Sequence, residues 1–218
     1  MTVGHPIPLD GDLLRSPPPA AIVHSHHVAD RSPLLPEKIV GERLVLRRWL
    51  VSDAQELSRA VERNIEHLRP WMPWVANEPL PVDRRVALIE EWERALLDGG
   101  DAVYGVFLEN APIGGCGLHR RRGPHGLEIG YCMDRDHIKL GIGTEVARLL
   151  TSAALAVPGV TFVEIHHDKA NTASGRIPEH LGYSPLPEER DRIEAPGEMG
   201  VDCGWRMTAA DWSSPSAR

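Results

Sequence analysis

Leu127-Glu128-Ile129-Gly130-Tyr131-Cys132-Met133-Asp134-Arg135-Asp136-His137-Ile138-Lys139-Leu140-Gly141-Ile142-Gly143-Thr144 carries the chain from a strand, through a short connection, into a glycine turn that opens a helix. The strand is expected over about 127 to 134. From Gly141 the apolar residues Ile142, Val146, Leu149, Leu150 and Ala153 recur on one helical face. The first N–H groups of a helix lack intrahelical partners and lie at the positive end of its dipole. Glycines let such a backbone approach an anion with no Cβ in the way. Thr144 adds a hydroxyl donor and Lys139 a compact positive charge. Phosphate or pyrophosphate binding is the chemistry this turn suits. Taken alone, the same glycines serve equally well as a tight strand-to-helix turn. Two phosphate-loop families are excluded by spacing. No G-x-x-x-x-G-K-[ST] string occurs, and Val146 follows Gly143-Thr144-Glu145 where a dinucleotide fold needs its third glycine.

Outward from this turn, Glu42-Arg43-Leu44-Val45-Leu46-Arg47-Arg48 alternates polar and apolar residues, as a half-buried strand does. Ser52, with Gln55 three residues on, predicts a capping box for a helix whose inner face is Leu57, Val61, Ile65 and Leu68. Arg69-Pro70-Trp71-Met72-Pro73-Trp74 stops that helix. A second follows over about 83 to 98, with Val86, Ile89, Trp92 and Leu96 inward, and Gly99-Gly100 ends it. Strands are expected over about 102 to 109 and 112 to 119 before the one already quoted, separated by Asn110 and Gly123-Pro124 as in antiparallel hairpins. Phe162-Val163-Glu164-Ile165-His166 predicts a strand, 171 to 181 a short helix, and Trp205-Arg206-Met207 part of a last strand. The expected fold is one α/β domain with a mixed, mostly antiparallel sheet flanked by helices.

The chain has 218 residues and a formal charge of -7, a balance that argues against nucleic acid or an anionic membrane as main partner. No apolar run reaches the roughly 18 residues that span a bilayer, and the N-terminus lacks the form of a signal peptide. A cytoplasmic protein is expected. Cys116, Cys132 and Cys203 are odd in number and widely spaced, so neither a disulfide framework nor a zinc knuckle is expected. Residues 1–37 are proline-rich and read as an extended or disordered arm, residues 38–212 as the folded domain, and 213–218 as a tail. His24, His26 and His27 in the arm have no Cys or carboxylate cluster to complete a metal site, and no metal is expected. A homodimer using the arm is a further expectation.

Four segments in order carry a family resemblance: His67-Leu68-Arg69-Pro70-Trp71-Met72-Pro73-Trp74, Leu127-Glu128-Ile129-Gly130-Tyr131, Leu140-Gly141-Ile142-Gly143-Thr144-Glu145, and Asn171-Thr172-Ala173-Ser174-Gly175-Arg176 with Leu181-Gly182-Tyr183. Residues 42 to 212 resemble the GNAT superfamily of N-acetyltransferases, most closely its ribosomal-protein alanine acetyltransferase-like branch. The resemblance implies a splayed strand pair at the cofactor site, acetyl-CoA as cofactor, and direct attack of a primary amine on the thioester. The acceptor would be a protein or peptide N-terminus or a small-molecule amine. Cofactor contacts would come from Cys132, Met133, Lys139, Leu140, Gly141, Ile142, Gly143, Thr144, Asn171 and Ser174. A backbone N–H near Cys132 or Met133 would polarise the thioester carbonyl, Ser174 would protonate or stabilise the leaving thiolate, and Trp71 and Trp74 would line the acceptor pocket. Glu128 is the candidate base, with Glu194, Glu198, His166 and His167 as alternatives. Arg120-Arg121-Arg122 reads as a solvated hairpin tip or as a basic run for an acidic group. One departure stands out: the family's turn commonly has Arg or Gln three positions before its first glycine, with further Gly and basic residues between, and this chain has Ile138-Lys139-Leu140. A non-catalytic acyl-CoA-binding or regulatory module on the same scaffold is therefore the alternative reading.

Overall fold

Nine strands form one sheet in the order β1-β2-β3-β4-β5-β6-β9-β7, with β8 also on β9, in a computed structural model that describes residues 34–213. The strands are β1 (Lys38–Val40), β2 (Leu44–Arg48), β3 (Ala102–Leu108), β4 (Ala111–His119), β5 (Gly126–Met133), β6 (Phe162–Asp168), β7 (Ser184–Pro185), β8 (Glu189–Arg190) and β9 (Val201–Thr208). The helices are α1 (Ala54–Leu68), α2 (Val82–Leu97), α3 (Ile142–Leu155), α4 (Thr172–His180) and α5 (Ala209–Trp212). Every strand pair is antiparallel except β5 and β6, which run parallel.

Side chains alternate between the two faces of the sheet. On one face Leu118, Leu127, Ile129, Val163, Ile165 and Met207 are buried with Val146 and Leu150 of α3. On the other, Trp49 and Phe107 meet Leu57 and Val61 of α1 and Ile89 of α2. Each fully buried Leu or Ile contributes about 1.5–3 kcal/mol by leaving water, so burial on two faces fixes the register. Leu35 is already part of the first cluster, three residues ahead of the expected start of the domain. The Tyr104 hydroxyl donates to the Pro36 carbonyl at 2.6 Å beside it. Residues 1–33 of the expected dimer arm, with His24, His26 and His27, lie outside the described residues. Among the described residues no helix is long and apolar enough to cross a membrane.

The helix start near residue 52 differs from expectation. A 3-10 turn at Val51–Asp53 precedes α1, and Ser52 caps nothing. Asp53 accepts the Leu50 N–H at 2.8 Å and pairs with Arg47 at 2.6 Å. An ionised carboxylate with a guanidinium partner makes stronger bonds than a serine hydroxyl, and that decides which residue organises the turn. Strands β1, β7 and β8 were not foreseen, because two or three residues carry no period.

The parallel pairing of β5 with β6 covers only Gly126–Glu128 against Phe162–Glu164. Its last rung sets the carboxylates of Glu128 and Glu164 side by side, 2% and 3% exposed. Arg122 bridges them, 2.6 Å from Glu128 and 3.2 Å from Glu164. Glu164 also accepts from Arg206 Nε at 2.8 Å and from His166 Nε2 at 2.9 Å, while His166 Nδ1 meets Asp202 at 2.7 Å. Burial pulls the His166 pKa down, but hydrogen bonds to the Asp202 and Glu164 carboxylates outweigh it and hold it at about 9. Breaking a fully buried ion pair costs about 3–5 kcal/mol. Arg122 and Arg206 keep 29% and 44% of their side chains in solvent, which lowers that figure. Glu164→Gln is expected to cost about 2 kcal/mol in urea unfolding at pH 7. Because the folded His166 pKa lies above the ordinary histidine value of 6.5, its stabilisation is complete below the unfolded value and is lost as pH rises through the folded one. The urea midpoint should therefore fall between neutral and alkaline pH, and fall less in His166→Asn.

Candidate active site

Beyond Glu128 and Glu164 the two strands part: residues 129–133 of β5 pair only with β4, and residues 165–168 of β6 only with β9. The facing edges form a wedge lined by backbone N–H and C=O groups. At its wide end stands the N-terminus of α3. Gly141 is its N-cap, with φ +75°, a left-handed conformation that glycine adopts without strain. The first intrahelical bond runs from the Glu145 N–H to the Gly141 carbonyl at 3.0 Å, so the N–H groups of Ile142, Gly143 and Thr144 lie ahead of the helical ladder. A Cβ on Gly143 would stand 3.0 Å from Ile177 Cδ1, so the glycine lets α3 and α4 close on each other. Ile142 is buried and anchors the turn, whereas Leu140 is 58% exposed. Lys139 takes φ +60°, unusual for a residue with a Cβ.

The second wall is the start of α4. Asn171 is buried, and its side-chain oxygen accepts the Ser174 N–H at 3.3 Å. The Ser174 hydroxyl is fully buried beside the Tyr131 phenol of β5. Burial raises that phenol's pKa, and the serine hydroxyl offsets part of the rise. Helix α4 continues through Pro178, which has no N–H to offer the Ser174 carbonyl. In the sequence Tyr131 stands out only as part of a motif; its place beside Ser174 depends on a contact across 43 residues.

Asp168 at the end of β6 secures the loop over this region. Its carboxylate accepts N–H groups from Ala170, Met199, Gly200 and Val201 at 2.8–3.2 Å. Burial alone would raise its pKa, but these four donors lower it. The Gly197 N–H then donates to the Pro70 carbonyl at 2.9 Å. Within the loop Glu198 accepts the N–H groups of Glu194 and Ala195, and Glu194 is exposed.

On the α1/α2 side of the sheet lies a cavity of about 220 Å³. Cys132, Met133 and Asp134 line one end, Trp49, Trp74 and Trp92 its walls, and Gly115, Gly117 and Gly130 its floor. Trp74 is thus a lining residue; Trp71 is half-buried and is not among them. Trp49 and Trp92 are lining residues that sequence reasoning misses, since periodicity assigns Trp92 only an inward helical position. His119 also faces this cavity, with its Nε2 edge 2.7 Å from where a Gly117 Cβ would stand and 3.3 Å from that of Gly130. Its Nδ1 bonds Asp101 Oδ2 at 2.8 Å, and Asp101 Oδ1 accepts the Arg120 N–H at 2.8 Å. Asp101 thereby favours the tautomer with hydrogen on Nδ1 and a lone pair on Nε2.

Three expectations change. Glu128 is not a free carboxylate: both its oxygens are engaged, by Arg121 at 3.5 Å and Arg122 at 2.6 Å. Those two arginines are in turn not available as a basic patch. His166 is held protonated by two carboxylates. His167 is neutral: burial lowers its pKa, Nδ1 bonds the Asp168 carbonyl and Nε2 accepts from Trp205. Among the described residues no group of three or more His, Cys, Asp or Glu is placed to hold a metal ion.

Residues 43–184 match the acetyltransferase (GNAT) domain family. No curated protein sequence matches the chain. Among solved structures, Mycobacterium smegmatis RimJ in complex with CoA-disulfide superposes with a TM-score of 0.73 at 18% identity, covering 85% of this chain and 94% of that one. RimL, the ribosomal L7/L12 alpha-N-protein acetyltransferase, in complex with coenzyme A gives 0.72 at 15%, covering 82% and 99%. The microcin C7 self-immunity acetyltransferase MccE in complex with acetyl-CoA and AMP gives 0.72 at 16%, covering 81% and 98%. These likenesses establish the shared fold.

Asn at position 168 would keep one acceptor oxygen where four N–H groups now converge on two. Asp168→Asn is expected to speed tryptic cleavage after the exposed Arg190 or Arg192 by about tenfold at pH 7. In the parent protein the same loosening, read as faster amide hydrogen exchange of the loop, should appear only under acid conditions, because the lowered folded pKa keeps the loop pinned until pH falls through it. Mass spectrometry of timed digests checks the first and of deuterium uptake the second.

Proposed function

Since the chain belongs to the GNAT acetyltransferase family, we propose that it moves the acetyl group of acetyl-CoA onto a primary amine by direct attack, with no covalent enzyme intermediate. The observation that carries this is the wedge between β5 and β6, running from the free N–H groups of α3 to the cavity of the opposite face. A pyrophosphate suits those N–H groups and Thr144, with Lys139 adding charge. An extended amide-bearing arm suits the unpaired strand edges, and the Asn171 side chain stands beside its end. A thioester placed there would meet the backbone near Cys132 and Met133, whose N–H groups suit a developing oxyanion.

In this reading the amine nitrogen attacks the carbonyl carbon, the C–S bond breaks, and the thiolate leaves beside the Ser174 hydroxyl. The attacking nitrogen must shed a proton. We assign that proton to His119 in place of Glu128, because Asp101 orients the imidazole and leaves Nε2 facing the cavity. The imidazole packs on Gly130, two residues before Cys132 and about 7 Å from it along the strand, a gap that one bridging water would span. The alternative, a non-catalytic acyl-CoA-binding module, rests on the exposed Ile138 and Leu140 where the family commonly has basic residues.

Calorimetric titration with acetyl-CoA, followed by thiol release over a panel of amines, separates the two. Binding with turnover supports the transferase; binding without turnover on any amine supports the module; no binding at millimolar cofactor defeats both. Ser174→Ala is expected to lower kcat by at least about tenfold and change the acetyl-CoA Kd by less than about threefold. Equal effects on both constants would make Ser174 a binding residue only. His119→Gln should reduce kcat by roughly 10²-fold at pH 7, with the deficit shrinking as pH rises and the free amine deprotonates unaided. A deficit that does not change with pH removes the base role.

A further inference from the structure

The cavity beside Cys132 and Met133 has a chemistry of its own. Its walls are Trp49, Trp74, Trp92, Leu57, Val61 and Met72. Each charged group in its lining is already partnered. Glu78 and Arg85, 2% and 3% exposed at the side chain, pair at 2.7 Å, and both Glu78 oxygens lie on the Arg85 guanidinium. Asp134 accepts from Asn64 at 2.8 Å and from the Asp136 N–H at 2.9 Å. Arg121 is paired with Glu128 and His119 with Asp101. A polycation would bring several ammonium groups out of water with no free carboxylate to receive them, a cost of several kcal/mol per charge. A neutral ring system faces no such cost and leaves water against three indoles.

Size sets the next limit. A dry apolar cavity of about 150 Å³ accepts benzene, so about 220 Å³ holds one or two rings. The Trp92 indole N–H supplies a polar detail. It is buried and has no acceptor among the described residues, and buried donors are rarely left unpaired.

We propose that the acceptor is a monoamine carrying one compact aromatic group, seated among Trp49, Trp74 and Trp92, with an oxygen acceptor directed at the Trp92 N–H. Its amine then lies at the Cys132 end, where the acetyl group arrives; this part rests on the transferase reading above.

Gly115 allows a direct test. A Cβ there meets nothing nearer than Cys132 Sγ at 3.6 Å and opens into the cavity floor, and a β-branched residue suits a strand. Gly115→Val therefore fills the cavity from below, and Leu88→Phe fills it from α2. Tyramine binding is measured by calorimetry with and without CoA, beside phenethylamine, ethylamine and spermidine, and acetyl transfer to each is followed by thiol release. Saturable tyramine binding is expected, weakened at least about tenfold by either filling variant whose melting temperature is kept. Trp92→Phe should erase the advantage of tyramine over phenethylamine. In turnover, tyramine should exceed ethylamine at least about tenfold in kcat/KM, with spermidine poorest. The proposal is overturned if tyramine does not bind, if both stable filling variants bind it normally, or if spermidine or ethylamine is the better substrate. Preference for octanoyl-CoA over acetyl-CoA without tyramine binding also overturns it and assigns the cavity to the acyl chain. Tyramine binding with no acetyl-CoA binding keeps the aromatic site and removes the transferase; the reverse result removes the aromatic site alone.

Discussion

The arginine clamp on Glu128 and Glu164 is the interaction on which the site depends. Two buried carboxylates on one rung of a parallel pair repel each other unless cations stand between them. Arg122 does so directly, with Arg206 and the His166 imidazolium on the far side. The clamp holds β5 and β6 together for three residues and no further. Each strand is paired along the rest of its length with its other neighbour, so each half of the sheet is firm where the two diverge. The outcome is a wedge with a fixed apex instead of a continuous sheet.

An open wedge inside a sheet is costly unless something fills it. Unpaired strand edges expose N–H and C=O groups that each cost about 1–3 kcal/mol when removed from water without a partner. An occupant with amides of its own, entering from the α3 side, satisfies those edges. The wedge is also a passage through the sheet. It joins the glycine turn at the start of α3, Asn171 and Ser174 on one face to the tryptophan cavity and His119 on the other. An activated acyl group can then be held by one face while its reaction partner is held by the other, which is the positioning that direct transfer demands.

What the sequence made legible is whatever a short window contains. Period-two alternation at Leu44–Arg48, the apolar face of α3 and the Asn171 cap are each written within a dozen residues, and each is found in place. The turn at Gly141 is legible for the same reason, since its backbone conformation is local. The groups that alter the chemistry are non-local. His119 meets Asp101 across 18 residues, and Trp49 and Trp92 meet only when α2 is laid on β3. Glu128 looks free in a strand and is committed only once Arg121 and Arg122 turn back over it. Ser52 had the right residue type for a cap and lost to Asp53, whose strength comes from Arg47.

Glu128 remains important, though in another role. Arg121 lies in the cavity lining and within 3.5 Å of His119 Nδ1. An unpaired guanidinium there would repel an approaching alkylammonium. With its charge balanced by Glu128, the cavity presents a nearly neutral floor, and the Asp101 carboxylate is left to act on His119. The carboxylate that first suggests a base is instead the counter-ion of the arginine that stands beside His119. It also fastens the rung from which the wedge opens. One buried side chain thereby links the shape of the site to its electrostatics.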